Sequence, residues 1–169
     1  MHQIKPLVKR ARANLYARLH ESGMLDPVTI RVRPVKGEPW EEPLACYRSF
    51  SQFHSRPIFW IDPQFENRMR DEDPVTEIEL VQALSETLYH EYGHVIWEMA
   101  DWGRPKLGID TTKLCTLISS THLAQEDFCE AFLRFWRGWT RSSDPKPYKF
   151  KRILVAYRQL AFTGKNKLT

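Results

Sequence analysis

With 169 residues, 42% hydrophobic and 12% aromatic content, the chain has the composition of a globular protein and the length for one domain with a proper core. A net charge of +4 and a pI near 9.0 are too modest to name an anionic polymer as the partner by themselves. No apolar run approaches the eighteen or so residues that cross a bilayer, so no membrane span is expected.

The start, Met1-His2-Gln3-Ile4-Lys5-Pro6, lacks the apolar segment of a secretory signal. Cys46, Cys115 and Cys129 form no CxxC spacing, which fits a reducing cytosol; a cytoplasmic location is expected, and a secreted mature form is the other reading. Residues 6–20 read as a basic amphipathic helix, with Val8, Ala11, Leu15 and Leu19 as its stripe and Lys5, Lys9, Arg10, Arg12 and Arg18 outside it. Such a helix can pack across a sheet, meet a nucleic-acid or membrane surface, or serve as an organellar transit segment. Gly23 closes it.

Residues 28–34, Val28 to Pro34, alternate as a strand does; Lys36-Gly37-Glu38-Pro39 is a turn, and Leu44-Ala45-Cys46-Tyr47 can return antiparallel. Pro57 to Asp62 reads as a further short strand. It is either an edge to which an extended substrate could add, or a plain core strand. From Asp62 to Asp101 acidic residues dominate.

Within that acidic stretch, Ile78, Val81, Leu84, Leu88, Tyr92, Val95 and Met99 recur at steps of three and four, predicting a helix with one apolar face. Asp73-Pro74 and the capping box Thr76-x-x-Glu79 mark its start, and Trp102-Gly103-Arg104-Pro105 marks its end. On another face, with Ala83 and Thr87, stand His90 and His94 of His90-Glu91-Tyr92-Gly93-His94. Residues four apart on a helix point the same way, so the two imidazoles can grip one Zn²⁺. Glu91 between them can take a proton from water at the metal. The alternative is a pair of surface histidines on an ordinary amphipathic helix.

Zinc needs a third protein ligand. Glu126-Asp127-Phe128-Cys129-Glu130-Ala131-Phe132 is the candidate source, on a second helix whose apolar side is Phe128, Phe132, Phe135 and Trp139. Carboxylates one turn apart, as Glu126 and Glu130 are, repel by about 0.2–0.5 kcal/mol even when exposed. Burial makes this worse unless a cation sits between them. The other reading is a solvated acidic face.

Beyond the linker Ser142 to Pro147 a last helix is predicted near 149–162. From Arg134 onward ten Lys and Arg residues face one acid, Asp144, with Trp136, Trp139, Tyr148 and Tyr157 interleaved. That mixture can hold phosphate and stack on bases, or be a solvated face packed by its aromatics.

The pattern His90-Glu91-x-Gly93-His94 followed by Glu126-x-x-x-Glu130-Ala131-Phe132 resembles the gluzincin metallopeptidases. It is especially similar to the catalytic domain of anthrax lethal factor and related secreted bacterial peptidases, over roughly residues 75–138. The resemblance implies one zinc per chain, held by His90, His94 and Glu126. It implies Glu91 as general base and Glu130 holding a ligand histidine from behind. It also implies endopeptidase action on protein or peptide substrates. One departure stands out. Where the family places a tyrosine about seven residues before the ligand glutamate, this chain has Ser119, and no tyrosine lies between Gly93 and Glu126.

The whole therefore reads as an α+β, minimal zincin-like single domain spanning 1–169. A small, mostly antiparallel sheet packs on an active-site helix and a second ligand-bearing helix. His122 has two open roles: replacement oxyanion donor, or third ligand in the manner of SprT-like proteases, which act near DNA. A non-catalytic zinc module and a nucleic-acid-binding domain are the remaining readings.

Overall fold

The computed structural model describes residues 4–21, 29–35, 45–48, 58–72, 75–101 and 111–165. In chain order these form α1 (Ile4–Glu21), β1 (Thr29–Val32), β2 (Ala45–Arg48), β3 (Ile58–Ile61), α2 (Phe65–Glu72), α3 (Glu77–Asp101), α4 (Thr112–Ser119), α5 (Gln125–Trp136) and α6 (Pro147–Lys165). The class is α+β and mostly helical. The expected turn at 36–39, Gly23, Asp73-Pro74 and the stop at 102–105 lie outside the described residues.

The sheet is mixed instead of mostly antiparallel. Its order is β1-β3-β2, with β1 parallel to β3 (Thr29 opposite Ile58) and β2 antiparallel to it (Ala45 opposite Ile61). β2 thus returns along β3, not along β1. The two open readings of Pro57–Asp62 are also resolved, because β3 is the middle strand among the described ones and offers no free edge. Phe59 and Ile61 point to one face and are fully buried, while Trp60 on the other lies under the Arg33 guanidinium at 4.0 Å.

Asp62 ends β3 and starts α2, a helix the periodicity did not predict. Its carboxylate accepts from the Gln64 amide at 2.8 Å and the Val35 amide at 3.0 Å, and its carbonyl takes the Phe65 amide at 3.0 Å. Asp62-Pro63 is a capping signal of the same kind as Asp73-Pro74.

The helix α3 is the axis of the molecule. Leu80, Leu84, Leu88, Tyr92, Val95 and Ile96 are fully buried along it. The capping box forms as read: Glu79 accepts from the Thr76 amide and hydroxyl at 2.7 Å each, and the Glu79 amide donates back to Thr76 Oγ1 at 3.3 Å. Ile78 departs from its expected place, being 72% exposed. At about 100° per residue it lies on the rim of the stripe, which a first-turn residue can leave uncovered.

Helix α1 packs on α3, not across the sheet. Ile4, Leu7, Val8, Ala11 and Leu15 are its buried face, Asn14 Nδ2 donates to Ser85 Oγ at 3.3 Å, and Arg10 pairs with Glu77. Helix α5 packs on another side of α3 and buries Phe128, Cys129, Ala131 and Phe132; Trp139, beyond its end, is 57% exposed and not part of that face. An aromatic cluster of Phe128, Phe132 and Phe135 joins α5 to Phe150 of α6. The predicted linker is pinned. Arg134 donates to both carboxylate oxygens of Asp144 at 2.7 and 2.6 Å, and the Arg141 amide adds a third bond at 2.8 Å.

Candidate metal centre

The site forms where α5 crosses α3, and the crossing is close because of one residue. A Cβ placed on Gly93 would stand 3.0 Å from both the Cα and the Sγ of Cys129. Glycine leaves room for the α5 backbone at this distance, where a Cβ would require Cys129 to give by a few tenths of an ångström, and the approach carries the start of α5 over the histidine face of α3.

Both imidazoles are half-buried and their Nε2 atoms lie 3.2 Å apart. The exposed Glu126 carboxylate closes on them, at 3.2 Å from His90 Nε2 and 3.3 Å from His94 Nε2. Behind the rings, Glu130 Oε1 stands 2.9 Å from His90 Nδ1, and the Gln125 side-chain amide stands 3.0 Å from His94 Nδ1. A His90 Nδ1–H donating to Glu130 leaves the Nε2 lone pair free; Gln125 Nε2 as placed donates to His94 Nδ1, and the flipped amide, with its oxygen there, frees His94 Nε2 in the same way. The structure thus brings His90, His94, Glu126 and Glu130 into one constellation.

Glu91 is buried, on the flank of α3 between the histidine face and the core. Burial holds the His94 imidazole below its ordinary range, with His90 adding to the effect and Glu126 opposing it, so the ring is neutral at pH 7.

Two residues that sequence reasoning did not single out belong here. Gln125 carries no motif signal, since a glutamine before an acidic residue has no pattern of its own. Cys129, one turn after Glu126, offers a sulfur that with the two histidine nitrogens forms a group whose atoms all lie within 4.8 Å of one another. Burial, then the carboxylates of Glu126, Glu91 and Glu130, push that thiol far above its ordinary range. His122 stands apart from the contacts of this group. It sits in the connection before α5 in a left-handed conformation, φ 55°, and among the described residues its imidazole makes no hydrogen bond or ion pair.

The C-terminal basic stretch is partly spent on structure. Arg134 is paired with Asp144, Arg137 Nε lies 3.3 Å from Glu86, Lys149 donates to the Ser120 carbonyl at 2.9 Å, and Tyr157 is buried. Trp139 and Tyr148 remain exposed at 57% each. Among the described residues no helix is long and apolar enough to cross a membrane.

Comparison with protein-family models, with curated proteins and with solved structures finds no match to this chain.

Proposed function

We propose that the chain is a zinc-dependent peptidase of the gluzincin type. In this reading His90, His94 and Glu126 are ligands and Glu91 is the general base, on a zincin-like variant of the α+β fold. One observation carries it. The two Nε2 atoms stand 3.2 Å apart and the Glu126 carboxylate faces both, Oε2 at 3.2 Å from His90 Nε2 and Oε1 at 3.3 Å from His94 Nε2. Two ligand atoms of a tetrahedral zinc, each about 2.0 Å from the metal, stand about 3.3 Å apart, close to the separation of these nitrogens, with a carboxylate beside both. Two histidines and a carboxylate also make the donor set of catalytic sites, which keep one position open. Glu126 is favoured over Cys129 as third ligand because its two oxygens already face both nitrogens.

Bound zinc supplies Lewis acidity and brings the pKa of water to about 7. Glu91 takes the proton of the attacking water and returns it to the leaving amine. Glu130 and Gln125 hold the two rings with Nε2 inward, towards the Glu126 carboxylate. His122, unengaged among the described residues, is the candidate oxyanion donor. In His122→Ala, zinc content unchanged with kcat lowered fits that role; loss of zinc would instead make it the ligand of the SprT-like reading.

The deciding experiment is elemental mass spectrometry of the purified, unchelated protein, followed by hydrolysis of a peptide library. One zinc per chain with cleavage that Glu91→Gln abolishes is the expected result. A protein that neither carries zinc nor takes it up ends the proposal. Zinc without any cleavage leaves the non-catalytic module.

A further inference from the structure

A second concave feature lies at the other end of α5. From Glu126 to Trp136 the helix rises about 15 Å, so this groove is separate from the metal centre and does not depend on the peptidase reading. Its volume is about 570 Å³, within the range of built ligand sites. Three helices wall it: Arg18 of α1, Phe135 and Arg137 around the end of α5, and Lys151, Leu154 and Val155 of α6.

The chemistry is one-sided. Among the described residues no acidic one lines the groove, and three cations do. Arg137 shares its charge with Glu86 at 3.3 Å, and Arg18 reaches the Trp136 carbonyl at 3.4 Å and no carboxylate among the described residues. Lys151 makes no ion pair among the described residues. Between the cations the wall is apolar, and Val155 is left 53% exposed. The buried indole N–H of Trp136, which also lines the groove, finds no acceptor among the described residues.

We propose that this groove docks an acidic peptide segment, one bulky apolar side chain of which inserts against Leu154 and Val155. The carboxylates of the segment pair with Arg18, Arg137 and Lys151. Charge complementarity selects an anionic partner. The aromatic geometry favours peptide over single-stranded nucleic acid. Stacking on bases uses free ring faces, and one face of each groove ring is already covered, Trp136 by Tyr89 at 5.6 Å and Phe135 by Phe150 at 5.1 Å.

Fluorescence anisotropy on the whole protein tests this with a fluorescein-labelled ten-residue peptide of glutamates around one central phenylalanine. The expected result is saturable binding that weakens with salt and falls about tenfold or more in Lys151→Glu and in Val155→Glu. Both positions are exposed, and unchanged thermal melts establish that both variants fold. Glu91→Gln should bind as the parent does, which keeps this test apart from that of the metal centre. No binding, binding indifferent to both substitutions, equal binding of an all-glutamate peptide, or tighter binding of a ten-nucleotide oligo-dT would each overturn the proposal.

Discussion

At the scale of single residues, the metal centre separates groups that hold from groups that react. Glu130→Ala and Gln125→Ala each remove a partner that turns an imidazole nitrogen inward. Each is expected to weaken zinc binding about 10- to 100-fold in chelator competition. Glu91→Gln should bind zinc normally and lose nearly all turnover, so the two classes of variant part company in a single pair of measurements. The pH dependence has a definite sign. His94 is held below its ordinary value by burial, so in the metal-free protein the unfolded chain binds the extra proton first as pH falls past about 6.5. The stability associated with a neutral His94 is therefore present above that value and is lost as pH falls towards the folded-state value. Chelated protein should show a larger drop in melting temperature between pH 7 and pH 5 than His94→Gln does.

At the scale of elements, the crossing of α3 and α5 is the feature that builds the site. Gly93 in mid-helix costs about 1 kcal/mol relative to alanine in intrinsic propensity. Even so, Gly93→Ala should destabilise by about 1–2 kcal/mol, because its Cβ would meet the Cys129 backbone at 3.0 Å and force α5 outward. The same displacement draws the Glu126 carboxylate away from the two histidines, so zinc affinity should fall together with the denaturation midpoint. Stability unchanged with zinc affinity intact would mean that α5 does not need this approach. The start of α3 is governed locally. Hydrogen bonds from Thr76 hold the Glu79 carboxyl below the usual carboxylate range, so the capping box is formed at neutral pH and is lost in acid as Glu79 protonates.

At the scale of the whole molecule, the linker that leads into the last helix is pinned by an ion pair. The Arg134 guanidinium grips Asp144 with two bonds, and their side chains are only 14% and 4% exposed. Asp144→Ala should cost about 2–3 kcal/mol in urea unfolding, because it leaves a largely buried guanidinium without its partner. Hydrogen bonding from Arg134 holds the Asp144 carboxyl below its ordinary range against the opposing effect of burial. Its contribution is therefore full above the unfolded value near 4 and is lost as pH falls through the folded one. The parent and Asp144→Ala should converge in stability in strong acid; a gap that persisted there would mean that the clasp acts through packing alone.

What the chain determined by itself is what repeats within a turn or two of helix. The i, i+4 pairs His90 and His94, and Glu126 and Glu130, follow from helical geometry. So do the capping box at Thr76, the apolar stripe of α3, and the existence of α5 and α6. The start of α2 was written at Asp62-Pro63 in the same local code, but its short, charged run has no apolar stripe to announce it. Tertiary structure alone decided the rest, because the contacts involved join residues that no local rule relates. β3 became the middle of a mixed sheet, and α1 chose α3 over the sheet as its partner. Gln125 met a histidine thirty-one residues away, and Gly93 acquired its purpose from Cys129. A helix face states which side chains can act together; only the packing of a second helix states what they act upon.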